Sequence, residues 1–237
     1  MKLQAVLFDL DATLLPMDQD KFIRAYMKGL VTKLVPHGYD PQRLIDTVWA
    51  GTAAMVRNDG ATTNETAFWR VFCNAFGERA RQDEPILDDF YRHEFQTIRD
   101  LCGYTPEAAD TVRSLIARGV RVALATNPLF PAVATESRMR WAGLVPEDFE
   151  LYTTYENICY CKPNLDYYRE ILRRLDLPPE ACLMVGNDVG DDMVAAELGM
   201  RVFLLTDHLI NKDGVDIERY PHGNFVELQR YIDSLLA

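Results

Sequence analysis

Nowhere does the 237-residue chain reach the roughly 18 consecutive apolar residues of a membrane-spanning helix. Its first apolar run, in MKLQAVLFDLD, is too short for the hydrophobic stretch of a secretory signal, and Asp9 interrupts it. A cytoplasmic location is the expectation. Positive charge is also scarce, with 25 Lys and Arg against 36 Asp and Glu, a formal net charge of -11 and a pI near 4.8. Nucleic acid and anionic membrane both require a positive surface, so neither is an expected partner. The five cysteines (Cys73, Cys102, Cys159, Cys161, Cys182) are odd in number and lack a framework spacing, and Cys159-x-Cys161 has no second pair or nearby histidine to complete a zinc site. Reduced, structural thiols are expected. Internal repeats, low-complexity tracts and Gly/Ser-rich linkers are absent as well, which leaves one large domain or two modest ones.

What is present suits an ordinary globular protein. A hydrophobic content of 48% and an aromatic content of 11% supply a full core. Apolar runs rich in β-branched residues recur as AVLFDL (5–10), VRVALAT (120–126), LYTT (151–154), CLMVG (182–186) and RVFLLT (201–206). Helical patterns separate them, one announced by Thr105-Pro106-Glu107 and closed at Gly119. Alternating strand and helix predicts an α/β fold, a Rossmann-like parallel sheet with right-handed crossovers and helices on both faces. Residues 17–99 break the rhythm. Four segments there (21–35, 41–56, 64–76 and 85–98) carry apolar residues at a spacing near 3.6, which predicts an all-helical domain inserted into a core made of residues 1–16 and 100–237. Its Trp49, Phe68, Trp69 and Phe72 are expected to be packing residues.

In open α/β sheets ligands sit beyond the carboxyl ends of the strands, so the residues that follow each apolar run matter most. The first run ends in Asp9-Leu10-Asp11, the second in Thr126-Asn127, the third leads to Lys162-Pro163, and the fourth ends in Gly186-Asn187-Asp188 with Asp191 and Asp192 close behind. Each alone has a plain reading as a turn, a cap or a solvated charge. Together, at neighbouring strand ends, they predict one site. Two carboxylates about 4 Å apart repel by roughly 4 kcal/mol at an effective dielectric near 20, so such a pocket calls for a cation or for protonation. An all-oxygen set with an open position suits magnesium. An EF-hand loop beginning at Asp9 fails, since Leu14 would occupy the glycine position and Asp20 the glutamate position. Asp188 and Asp192, four apart, would share a face if that segment is helical.

The set DxDxT (Asp9 to Thr13), Thr126-Asn127, Lys162-Pro163 and GNDxxxD (Gly186 to Asp192), in this order and strand context, resembles the four motifs of the haloacid dehalogenase-like hydrolases. The helical insertion is similar to the cap of their C1-capped subfamily. Two departures stand out: Ala12 where glycine is usual, and the doublet Asn187-Asp188 where one aspartate is usual. The resemblance implies a magnesium-dependent phosphatase for a small phosphorylated metabolite. In that scheme Asp9 is the nucleophile that forms an aspartyl-phosphate, and Asp11 is the general acid and base. Thr126, Asn127 and Lys162 bind phosphate; Asp9, the Asp11 main-chain carbonyl and Asp188 hold the metal; Asp192, Asp191 and Asn187 surround it. Asp11 argues against the dehalogenase branch, whose halide leaving group needs no proton. A sugar phosphomutase shares the four motifs, and a regulatory protein that binds a phosphorylated metabolite is the non-enzymatic alternative. Arg24 and Lys28 on one helix face, and Asn58 and Asn64 bounding a polar loop, are candidates for touching substrate. A monomer or homodimer is expected.

Overall fold

A computed structural model describes residues 2–237. Six parallel strands form one sheet: β1 (Ala5–Phe8), β2 (Arg121–Leu124), β3 (Leu151–Tyr152), β4 (Cys182–Gly186), β5 (Arg201–Leu205) and β6 (His222–Gly223). Their order is β3-β2-β1-β4-β5-β6. The first strand in sequence is therefore central, with β2 and β4 on either side, and the chain reverses direction across the sheet at β1. That reversal makes a crevice at the carboxyl ends.

Helices α5 (Pro106–Ala117), α6 (Ala132–Trp141), α7 (Leu165–Leu175) and α8 (Phe225–Leu236) cover both faces. Side chains along β1 alternate between two cores, as extended backbone requires. Val6 and Phe8 join the cluster that holds Val112 of α5 and Leu228 of α8. Ala5 and Leu7 join the cluster with Ile171 and Leu175 of α7. The strands are buried on both sides, which is why they read as unbroken apolar runs.

Between β1 and α5 lie α1 (Gln19–Leu34), α2 (Pro41–Val56), α3 (Asn64–Phe76) and α4 (Glu84–Arg92). Asp18, Asp40 and Thr63 cap the first three, each side-chain oxygen accepting from the backbone N–H three residues on. On α1 the buried residues are Phe22, Tyr26, Leu30 and Leu34, a stripe with a four-residue spacing that faces the rest of the insertion.

Three expectations need correction. The segment 85–98 is not one helix, because α4 stops at Arg92 and a 3-10 stretch, Glu94–Leu101, follows. The segment after Asp188 is a turn followed by a short 3-10 helix, Met193–Leu198, so Asp188 and Asp192 share no helix face. The edge strand β6 is unannounced in the sequence, since Pro221-His222-Gly223 has no apolar run, and it shows itself by pairing with β5. Among the described residues all five cysteines are free, and no helix is long and apolar enough to cross a membrane.

Candidate active site

The sheet register builds the site. Phe8 pairs with Leu124 of β2 and Val185 of β4, and Asp9 N–H donates to the Val185 carbonyl at 2.9 Å. Asp9 is thereby fixed at the central strand's end, beside Thr126 on one flank and Asn187 on the other. Leu10 turns away and is fully buried in the core, as alternation predicts. The chain then folds into a tight loop in which Leu15 N–H donates to Leu10 O at 2.9 Å and Ala12 N–H to Leu15 O at 2.8 Å. Ala12 takes φ +62° there, the left-handed region that favours glycine. Replacing it should relieve strain of about 1 kcal/mol. Ala12→Gly is expected to raise the melting temperature by roughly 2–4 °C for a chain of this size, readable by calorimetry.

Lys162 is the hub of the interior charges. Its Nζ donates to Asp9 Oδ1 at 2.9 Å and to Asp192 Oδ1 at 2.6 Å, and its side chain is 1% exposed. Burial works against the ammonium, but Asp192 and Asp9 outweigh it and hold the Lys162 pKa well above the ordinary lysine value. The same burial pushes the Asp192 carboxyl up, to about 7, against the pull of Lys162. The two shifts favour opposite states of the pair; the charged lysine is the firmer of the two, because two carboxylates face it. Asp192 Oδ2 accepts from Asp188 N–H at 3.0 Å. A Cβ on Gly186 would lie 2.0 Å from that same oxygen, so the residue opening this loop has to be glycine. Thr13 Oγ1 lies 3.1 Å from Asp9 Oδ2 and 2.8 Å from Asn187 Oδ1, and steadies both.

Asp11 has a partner that the sequence reading missed. Arg138 of α6, fully buried, donates from its guanidinium to Asp11 Oδ2 and lies over the Phe130 ring at 4.5 Å. Burial raises the Asp11 carboxyl and Arg138 pulls it back down, leaving a net rise, although the side chain keeps 22% exposure. Asp11 Oδ1 is buried without a hydrogen bond. Removing one partner from a pair of this kind strands the other charge at a cost of about 3–5 kcal/mol. Arg138→Met is expected to lose stability on that scale, and Asp11→Asn added to it to recover part of the loss, as measured by a denaturant double-mutant cycle.

The two residues of the doublet stand differently in the cleft. Asn187 is 1% exposed with both ends engaged, its Nδ2 donating to His208 O at 2.7 Å and its Oδ1 facing Thr13. Asp188 is half-buried, and its Oδ1 accepts from Gly190 and Asp191 N–H at 2.8 and 3.0 Å. The Thr126 carbonyl accepts from the Thr153 and Tyr167 hydroxyls at 2.6 and 2.8 Å. Asn127 Nδ2 reaches Asp191 Oδ2 at 3.3 Å, while Asn127 Oδ1 is buried and unpaired. Burial raises the Asp191 carboxyl. Asp9, Asp11, Thr126, Asn127, Lys162, Asn187, Asp188, Asp191 and Asp192 all line one cleft of about 240 Å³, closed from above by Phe22 and Ile23 of α1.

The four candidates on the insertion do not line it. Arg24 and Lys28 share a face of α1, but both are exposed, opposite the buried Phe22 and Tyr26 stripe. Asn58 Nδ2 donates to Asn64 Oδ1 at 2.8 Å. Asn64, fully buried, turns its own Nδ2 to the Pro128 and Tyr160 carbonyls at 3.4 and 3.3 Å and to Cys161 Sγ at 3.3 Å. These residues join the insertion to the core. An exposed lysine from the loop after β5, Lys212, lines the cleft instead.

Five carboxylates thus face the cleft against Lys162, Lys212 and the buried Arg138. Among the described residues no three His, Cys, Asp or Glu side chains converge as a cluster that would hold a metal alone. The donor set is all oxygen, and Asp11 Oδ1 and Asn127 Oδ1 are orphaned within it. That fits a hard cation bound by few carboxylates and completed by ligand and water.

A central-strand carboxylate bonded to a buried lysine, with a second carboxylate two residues on, defines a hydrolase built on a Rossmann-like sheet. The sequence pattern of the haloacid dehalogenase-like hydrolases matches residues 3–199, and the chain belongs to that family. It is 23% identical over 233 residues to the glyceraldehyde 3-phosphate phosphatase of Methanothermobacter thermautotrophicus, covering 91% of this chain and 94% of that one. Among solved structures, a 2-haloacid dehalogenase from Pseudomonas syringae is similar with a TM-score of 0.64 at 21% identity, covering 99% and 100% of the two chains. A phosphatase of the same family from Thermococcus onnurineus gives 0.59 at 18% identity, covering 97% and 98%. The two solved structures share the fold.

Proposed function

We propose that this chain is a magnesium-dependent phosphatase that hydrolyses a small phosphorylated metabolite through an aspartyl-phosphate on Asp9. One observation carries the reading: Asp9, held between Lys162 and Thr13, stands at the end of the central strand with a second carboxylate, Asp11, in the same cleft. The similarity to the glyceraldehyde 3-phosphate phosphatase of Methanothermobacter thermautotrophicus supports it.

In the first half-reaction an Asp9 carboxylate oxygen attacks phosphorus and the bond to the leaving oxygen breaks. Asp11, protonated at this stage, gives its proton to the departing alkoxide. In the second half, Asp11 takes a proton from a water whose oxygen attacks the same phosphorus, and the acyl-phosphate bond breaks to release inorganic phosphate and restore Asp9. Lys162 and Thr126 hold the phosphoryl oxygens through both halves, and Arg138 aims Asp11. Asp9, the Asp11 main-chain carbonyl and Asp188 would hold a magnesium ion, which when bound would offset the charge of phosphate and carboxylates. Residues 17–99 act as the cap that keeps bulk water out.

The test is release of inorganic phosphate from a panel of phosphomonoesters by the pure protein, with and without magnesium. Release that depends on magnesium and disappears in Asp9→Asn is the expected result. Release from no member of the panel would overturn the reading, and interconversion of hexose phosphate isomers faster than phosphate appears would replace it with a mutase.

A further inference from the structure

The four aromatic residues expected to serve as packing do not all pack. Trp49 is 47% exposed, and together with Phe68, Trp69 and Phe72 it lines a cavity of about 420 Å³ between the insertion helices and residues 129–133. Tyr26, Leu30 and Val48 extend the apolar wall. The volume is within the range of small-molecule sites, which are about 300–1,000 Å³ and mostly apolar.

This cavity adjoins the catalytic cleft, since Ile23, Leu129 and Phe130 line both. Phe130 is the dividing wall. Its ring packs edge-on against Tyr26 at 5.2 Å and Phe22 at 6.1 Å, with the Arg138 guanidinium on it. Arg138 in turn holds Asp11. The group that accepts a proton from Asp11 therefore leaves the cleft next to the cavity.

The charged residues of the wall are already engaged. Arg92, its one cation, is bonded through Nε and Nη2 to Asp88 at 2.7 and 3.2 Å. Glu136 pairs with Arg140 at 3.0 Å and accepts from the Tyr152 hydroxyl. Glu156 accepts the Ala132 N–H, and Glu84 faces Arg81 at 3.5 Å. Against that one paired cation stand four carboxylates, Glu84, Asp88, Glu136 and Glu156, so the wall repels a second phosphate or a carboxylate. Among the donors of the wall, Thr52 gives its hydroxyl hydrogen to the Val48 carbonyl and the Tyr26 and Tyr91 hydroxyls bond each other at 2.9 Å, while Trp69 Nε1 is buried without a partner. Against the apolar wall of Tyr26, Leu30, Val48, Phe68 and Phe72, most hydroxyls of a sugar would be buried without partners, at a cost.

Resting on the phosphatase reading, we infer that the leaving group of the substrate is an apolar, uncharged alcohol of aromatic or medium-chain alkyl type seated in this cavity, rather than a sugar or a second anionic group. The test compares monophosphates of primary alcohols, so that leaving-group chemistry varies little: ethyl, hexyl, 2-phenylethyl and glycerol phosphates, and glucose 6-phosphate. Hexyl and 2-phenylethyl phosphate should exceed ethyl and glycerol phosphate at least about tenfold in kcat/KM, since each buried methylene favours binding severalfold. Thr52→Leu, which fills part of the cavity, should lower the 2-phenylethyl to ethyl ratio. Should that variant fold poorly, 2-phenylethanol provides a second reading, as a competitive inhibitor of the wild type that also perturbs tryptophan fluorescence. Equal rates across the series, or faster glycerol and glucose phosphate turnover, would overturn the inference and leave the phosphatase standing. No hydrolysis of any ester would overturn both.

Discussion

Asp9→Asn is expected to lower kcat by at least about 10⁴-fold, the scale on which loss of a covalent nucleophile is felt. The amide keeps an oxygen that accepts from Lys162, and Lys162 keeps Asp192 at 2.6 Å. Folding should therefore survive, and the variant should melt within a few degrees of the wild type. Steady-state phosphate release and a thermal melt on the same preparation separate the two effects. Residual activity within about tenfold of wild type would remove Asp9 from its role.

Lys162→Met is expected to damage both activity and stability. Asp9 and Asp192, 8% and 1% exposed, would face each other without the ammonium that joins them. Stranding buried charge in this way costs about 3–5 kcal/mol. The phosphate would also lose its interior cation, for an expected fall in kcat of about 10³-fold. The stability deficit has a pH signature. Burial already raises the Asp192 carboxyl to about 7, and without Lys162 it rises further. A group with a raised folded pKa adds stability below its unfolded value and loses it as pH climbs through the folded one. The deficit of the variant should shrink as pH falls from about 8 to 5, where Asp192 is protonated in the folded state. Denaturant unfolding at the two pH values checks the sign.

The strand-end residues were legible because buried parallel strands write themselves as apolar runs, and polar residues stop those runs where the crevice begins. Residues fixed by tertiary contact were harder. Arg138 sits four residues after Ala134 and three before Trp141, both buried, so the arginine lies on the apolar stripe of α6. A charge in that position calls for a buried counter-charge, and this was the signal available. The reading of Asp188 over Asn187 had no support from spacing, since the contacts that occupy Asn187, with Thr13 and His208, come from distant points in the chain. Arg24 and Lys28 do share a face; the buried stripe at Phe22 and Tyr26 on the same helix sends that face to solvent. Periodicity found the insertion helices and missed β6, whose two residues depend wholly on a neighbour.

Asn64 sets a limit on how the molecule can breathe. The two chain crossings into the insertion meet where Met17 bridges Cys102, and the start of α3 is tied down separately, with Asn64 N–H to Ile158 O at 3.0 Å and Glu65 N–H to Tyr155 O at 2.7 Å. A flap fastened along two edges does not lift like a hatch. Of the rigid-body motions open to residues 17–99, rotation about the line joining those two fastenings is the one that breaks neither of them.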